Sequence, residues 1–204
     1  MAYGLDKDYS IQRGKDTLKI EFDRDKISSR NLTGVGKKLA SLDLKSYIRP
    51  KNLKTDELNV LESYEIDNYG KSKTTKFTKL GKEELVESLR SIRDDIITLS
   101  NNELMITNLE LKNIKILKNR IYLVGITNIE HNMDKEYAKL SSNVLMNEFF
   151  GSNGITKEMK DVDVFKVYKG VFAKFLESDY EYIEDYYDKV LDSKESIKSY
   201  IKRL

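Results

Sequence analysis

The sequence predicts an α+β fold. A small β-rich N-terminal lobe with one short helix precedes a larger, mainly helical C-terminal lobe that contains a β-hairpin. Three observations carry this expectation. The first 67 residues hold two pairs of short strand-like runs around one helical stretch. From Lys82 the period turns helical, and Leu85, Leu89, Ile92, Ile96 and Leu99 recur at spacings of 4, 3, 4 and 3 with charges opposite. After that helix, Asn113 to Leu117 and Arg120 to Ile126 read as two strands around a Lys118-Asn119 turn, with Gly125 inside the second.

The elements follow in order. Tyr9 to Arg13 and Thr17 to Phe22 flank Gly14-Lys15-Asp16, a three-residue hairpin signal, and Leu18, Ile20 and Phe22 share one face of the second strand. Leu32, Val35, Leu39 and Leu42 recur at helical spacing, with Gly34 and Gly36 each weakening that helix by roughly 1 kcal/mol relative to alanine. Beyond Pro50, Lys51 to Lys54 and Val60 to Ile66 form a second strand pair. The small lobe is thus expected over residues 1–67, a polar basic linker (NYGKSKTTKFTKL) over 68–80 and the helical lobe over 81–204, in one compact bilobal unit. Within the helical lobe, Asp134 to Phe150 forms a second helix stopped by Gly151-Ser152-Asn153-Gly154. Further helices are expected near 160–176, 178–191 and 193–203.

Bulk composition narrows the function classes. Thirty-six Lys and Arg against 34 Asp and Glu leave a formal charge of +2, too small for a global field that draws nucleic acid or anionic membrane. With no cysteine, disulfides, thiolate zinc sites and cysteine nucleophiles are excluded. The start MAYGLDKDYS lacks the apolar run of a signal peptide, and no run approaches membrane-spanning length, so a soluble protein of the cytoplasm is expected. The bias toward Lys, Asn, Ile, Asp and Tyr suggests an AT-rich genome, such as that of a low-GC Gram-positive bacterium or one of its phages. A phage origin would place the protein in the host cytoplasm or the virion.

The stretch LSNNELMITNLELKNIKILKNRIYLVGI, Leu99 to Ile126, resembles the core of a protein kinase. There a long helix ends shortly before a catalytic loop of the form H-R-D-x-x-x-x-N, and a strand, a turn and a second strand carrying D-F-G come next. Ile106-Thr107-Asn108-Leu109 falls where H-R-D-L would stand, and Asn113, five residues after Asn108, falls where the metal-binding asparagine would be. Val124-Gly125-Ile126-Thr127 falls across the residue before D-F-G and the motif itself. Thr17-Leu18-Lys19-Ile20 resembles the third strand of a kinase small lobe, with Lys19 at the phosphate-contacting position. Asn143 to Phe150 (NVLMNEFF) resembles the buried helix of the large lobe.

What this resemblance implies is a kinase-like fold with its chemistry removed. Phosphoryl transfer needs one carboxylate near the acceptor hydroxyl and another on Mg²⁺. Asn108 cannot act as a carboxylate base, Gly125 has no side chain to bind metal, no Gly-rich loop precedes Lys19, and no glutamate between Phe22 and Asp56 could pair with it. The expectation is therefore a pseudoenzyme with no catalytic residues, no metal and no cofactor. Lys19 and Asn113 are the candidate residues of a residual nucleotide site. The expected role is regulatory or protein-binding, with another protein as partner and homo-oligomerisation left open. A phage or mobile-element structural or accessory protein unrelated to kinases is the alternative.

Other constellations carry less. Thr33 to Lys38 fails the phosphate-loop pattern at both ends, since Asn31 and Lys38 replace its first glycine and last hydroxyl residue. His131 is the only histidine, and no triad or zinc site can be inferred around it. Asp94 and Asp95 read as solvated charges on the polar side of their helix. The basic clusters Lys71 to Lys82 (with Lys73, Lys76 and Lys79) and Lys112 to Arg120 (with Lys115 and Lys118) are the only candidate nucleic-acid contacts, and solvated surface is their default. Tyr180, Tyr182, Tyr186 and Tyr187 read as packing of a terminal helix, with a tyrosine-rich contact surface as the alternative.

Overall fold

The computed structural model describes residues 9–13, 17–23, 32–49, 52–55, 59–65, 77–109, 113–125, 128–153 and 170–204. At 9–13, 17–23, 32–33, 52–55, 59–65, 78 and 152–153 only the backbone is described. The architecture is mixed α+β with helices in the majority and three small sheets among the described residues.

The first sheet is antiparallel, with strand order β1-β2-β5-β4, from β1 (Tyr9–Arg13), β2 (Thr17–Asp23), β4 (Asn52–Thr55) and β5 (Asn59–Glu65). Its register sets Ile11 opposite Ile20 and Lys19 opposite both Gln12 and Ser63. Between β2 and β4 comes α1 (Leu32–Ser41), whose Val35 and Leu39 enter the core one helical turn apart. The glycine-rich run Thr33 to Lys38 is thus the body of a helix.

Three short strands escape the sequence reading. β3 (Tyr47–Ile48) lies before Pro50 and runs parallel to β8 (Arg120–Val124), completing a sheet of order β3-β8-β7 with β7 (Ile114–Leu117). β6 (Leu104–Ile106) pairs antiparallel with β9 (Ile129–His131). Runs of two and three residues cannot show a period of two, and their partners are distant in sequence. The β7–β8 hairpin forms as expected. Lys118 and Asn119 both adopt positive φ, 50° and 61°, the mirror-image turn whose twist matches that of the strands. One detail differs: β8 ends at Val124, so Gly125 stands just past the strand.

α2 (Lys82–Asn101) is the central helix, and its stripe from Leu85 to Leu99 is buried throughout. α3 (Lys135–Glu148) starts at Asp134, whose side chain accepts a hydrogen bond from the Tyr137 backbone N–H and so satisfies one of the helix's orphan donors. A π-helical turn, Phe149–Asn153, follows it. Helical residues 170–176 bury Val171 and Phe175, and α4 (Ile183–Val190) and α5 (Ile197–Ile201) end the chain. Phe77 and Leu80, at the end of the expected linker, are buried with this core, while residues 66–76, including Lys71, Lys73 and Lys76, lie outside the described residues. The turn 14–16, Lys112, Ile126, Thr127 and the helical stretch expected over 160–169 also lie outside them.

Two α2 residues expected on the polar side are buried instead. The Asp95 carboxylate accepts the Lys45 backbone N–H at 2.9 Å and that of Ser46 at 2.6 Å, pinning the segment that leads into β3. Ser88, Ile92, Asp95 and Leu99 share one helix face, which is why the carboxylate points inward, while neighbouring Asp94 stays exposed. Arg93 is almost fully buried and meets Glu184 of α4 with two hydrogen bonds of 3.0 Å. It also donates to Asn143 and Asn147 of α3 and stacks over the Tyr182 ring at 4.3 Å. This guanidinium therefore ties α2, α3 and α4 together.

The tyrosine-rich terminus is largely core. Tyr187 is fully buried and donates to the Phe150 carbonyl at 3.0 Å, and Tyr186 meets the Tyr200 hydroxyl at 2.8 Å. Among the described residues, no helix is long and apolar enough to cross a membrane.

Candidate functional site

The segment that resembles a catalytic loop folds into one buried polar corner. β6 delivers Thr107 and Asn108, the approach to β7 delivers Asn113, the end of β8 delivers Gly125, and the approach to β9 delivers Asn128. Beyond the β6–β9 ladder the Thr107 backbone N–H donates to the Asn128 carbonyl at 2.8 Å, which holds the two segments together. Ser142 of α3 accepts the Ile106 N–H at 3.0 Å and anchors the loop to the helix beneath it.

Asn113 is buried, and its Nδ2 donates to the Val124 carbonyl at 3.1 Å. Gly125 follows with φ at +116°, a conformation that side-chain-bearing residues rarely adopt. A Cβ placed on Gly125 would lie 2.8 Å from Asn113 Nδ2 and 3.2 Å from Asn128 Oδ1. The position where a metal-binding carboxylate would begin is thus walled by two amides. On the far side, the Tyr47 hydroxyl donates to Asn128 Oδ1 at 3.3 Å, linking β3 to the same corner. Thr107 Oγ1 and Asn128 Nδ2 are buried without a hydrogen-bond partner among the described residues. Buried polar groups are as a rule paired, and each unmade bond costs on the order of 1–3 kcal/mol.

Of the residues singled out from the sequence, Asn108, Asn113 and Gly125 fall on this loop assembly, with Asn108 exposed at its edge. Lys19 lies in the middle of β2 of the four-stranded sheet, and its side chain lies outside the described part of the chain. Tyr47 and Asn128 were missed, and Thr107 was placed only as part of the loop motif. An asparagine in a polar stretch carries no sequence signal of burial, and Tyr47 sits in a two-residue strand. Chemically, the described side chains here are amides and hydroxyls. They can orient hydrogen bonds but cannot hold the fixed negative charge that Mg²⁺ requires. Among the described residues, no group of three or more His, Asp or Glu is placed to hold a metal ion.

Charges elsewhere are mostly engaged in structure. Glu103 accepts Lys38 Nζ at 3.1 Å and lies 3.2 Å from His131 Nε2, linking α1, the end of α2 and β9. The Lys38 hydrogen bond holds the Glu103 carboxyl below its usual range. Burial pushes the Asp95 carboxyl up, opposed by the backbone N–H groups it accepts. Of the basic clusters, Lys82 pairs with Asp188 at 3.1 Å, Arg120 pairs with Glu87 and Lys115 is buried. Only Lys79 and Lys118 among their described members are exposed without an ion pair.

The expected buried helix is buried on one side only. Ala138, Ser142 and Met146 face the core, as do Phe149 and Phe150 beyond it, but Val144, within the stretch NVLMNEFF, is exposed.

No family model matches the chain, and no curated protein matches it in sequence. Solved structures do resemble it. The structure of Rad53 1–466, a protein kinase, in complex with AMP-PNP superposes over 98% of this chain with a TM-score of 0.54 and 14% identity. This chain covers 62% of that one. The likeness is one of fold: the chain carries a mixed α+β, kinase-like fold.

Proposed function

We propose that this is a non-catalytic kinase-like protein that acts by binding another protein. The observation that carries the proposal is the walled position at Gly125, where Asn113 Nδ2 and Asn128 Oδ1 stand 2.8 and 3.2 Å from any Cβ. A carboxylate there would have to displace a buried, hydrogen-bonded amide. In phosphoryl transfer that carboxylate holds the metal that neutralises the phosphates, and a second carboxylate orients the acceptor. Asn108 at the second position supplies an amide instead.

The test is a thermal melt with and without ATP and Mg²⁺. A ligand that binds only the native state raises its stability by about 2.7 kcal/mol at a hundredfold excess over Kd. The expected result is an unchanged melting temperature across millimolar ATP. A saturable, Mg²⁺-dependent rise would overturn the reading that no nucleotide is held.

A further inference from the structure

α3 carries a second apolar face opposite the one it buries. Met133, just before the helix cap, and Tyr137, Leu140 and Val144 on it are 81%, 55%, 64% and 56% exposed. On the helix, spacings of 3 and 4 keep Tyr137, Leu140 and Val144 in one stripe roughly 10 Å long, turned away from Ala138, Ser142 and Met146 in the core, and Met133 lies just outside its N-terminal end. Single exposed apolar residues are ordinary on a protein surface, whereas a contiguous row on one helix face marks a contact site.

The borders of the stripe have one sign. At 100° per residue, Glu148 falls along one border, with Asp134 at the cap before the helix, and Glu136 along the other, while Lys135 and Lys139 fall toward the opposite side of the helix. We propose that this stripe docks an amphipathic helix of another protein, apolar at i, i+3 or i+4 and i+7 and bordered by Lys or Arg. The proposal deepens the protein-binding reading above and rests on it. A second copy of the chain fits poorly. Antiparallel pairing sets each acidic border against its own counterpart, and parallel pairing sets the Glu136 border against the Glu148 border. An anionic membrane surface is repelled by the same residues.

Two synthetic helical peptides with identical leucine positions, one bordered by lysine and the other by glutamate, distinguish these occupants. Each is titrated against the full chain by fluorescence anisotropy. The lysine-bordered peptide should bind at least about tenfold more tightly. Leu140→Glu should abolish that binding, and the Glu136→Lys/Glu148→Lys double variant should reverse the preference between the peptides. All three positions are exposed, and circular dichroism with a melt checks that each variant folds. The charge-reversal variant keeps the apolar stripe, so its switched preference cannot come from unfolding. Equal affinity for both peptides, or no binding of either, would overturn the proposal. So would dimerisation, or binding to phosphatidylserine vesicles, that Leu140→Glu abolishes. Phosphoryl transfer by the chain would remove the non-catalytic reading and leave the peptide preference to stand, so the two failures are distinguishable.

Discussion

Placing a carboxylate at position 125 should damage the fold and, on the non-catalytic reading proposed above, bring no chemistry with it. Gly125→Asp makes two changes. Its φ of +116° would be held by a residue with a Cβ, and strained backbone of this kind costs on the order of 1–3 kcal/mol. The new Cβ would also meet Asn113 Nδ2 at 2.8 Å and Asn128 Oδ1 at 3.2 Å, and overpacking a buried site costs typically about 1–3 kcal/mol. Together these give about 2–6 kcal/mol. For a chain of this length that is a fall in melting temperature of roughly 4–24 °C. Gly125→Ala carries both effects without the charge and should recover little of the loss. The assay is urea unfolding followed by circular dichroism, with a thermal melt in parallel. If Gly125→Ala melted with the wild type, the walled geometry of this corner would be wrong. If Gly125→Asp folded normally and gained an ATP-dependent rise in melting temperature, the corner would be a site that tolerates its carboxylate, and the account of lost chemistry would fail with it.

The buried charges lead to further expectations. Asp95→Ala should destabilise by roughly 2–5 kcal/mol, because the N–H groups of Lys45 and Ser46 lose their acceptors. Asp95→Asn should lose roughly half of that, since one amide oxygen replaces two carboxylate oxygens; wild-type stability in either variant would refute the clamp. Glu184→Ala should cost about 3–5 kcal/mol by leaving the buried Arg93 guanidinium without its counter-charge, and a loss below 1 kcal/mol in urea unfolding would show that water reaches the site. Acid should weaken the fold through Glu103 and Asp188, whose carboxyls are held low chiefly by the hydrogen bonds from Lys38 and Lys82. A lowered folded pKa stabilises above the ordinary carboxylate range, and that share is lost as pH falls through the folded value. Asp95 acts in the opposite sense, because burial raises its pKa and protonation relieves the folded state. The Lys38→Ala/Lys82→Ala variant should therefore show a flatter decline of the urea midpoint on acidification than the wild type, and an unchanged slope would exclude these two pairs as its source.

Where local pattern and tertiary environment agree, the sequence was readable. The α2 stripe, the turn at Lys118-Asn119 and the helix start at Asp134 are each decided within a few residues. What was not readable depends on partners far along the chain. β3 exists because Tyr47 and Ile48 lie beside Leu123 and Val124, and β6 because Leu104 to Ile106 meet β9. Asp95 reads as a surface charge until the Lys45–Ser46 backbone is brought to it, although its place on the Ser88–Ile92–Leu99 face was a usable signal. Arg93 likewise shares a face with Leu89 and Ile96, yet its partner Glu184 lies 91 residues away. At the candidate site, the spacing of Asn108, Asn113 and Gly125 led to segments of which Asn113 and Gly125 meet in the fold. It could not show Asn128 or Tyr47 closing the corner, because those contacts span 81 residues.

The central claim, that the chain does not transfer phosphate, is tested most directly by incubating it with Mg²⁺ and γ-labelled ATP. Autophosphorylation and transfer to a generic protein acceptor are both counted. The account predicts label no higher than a heat-denatured control for the wild type. Time-dependent label above that control, abolished by Asn113→Ala, would contradict it and return the buried corner to catalysis.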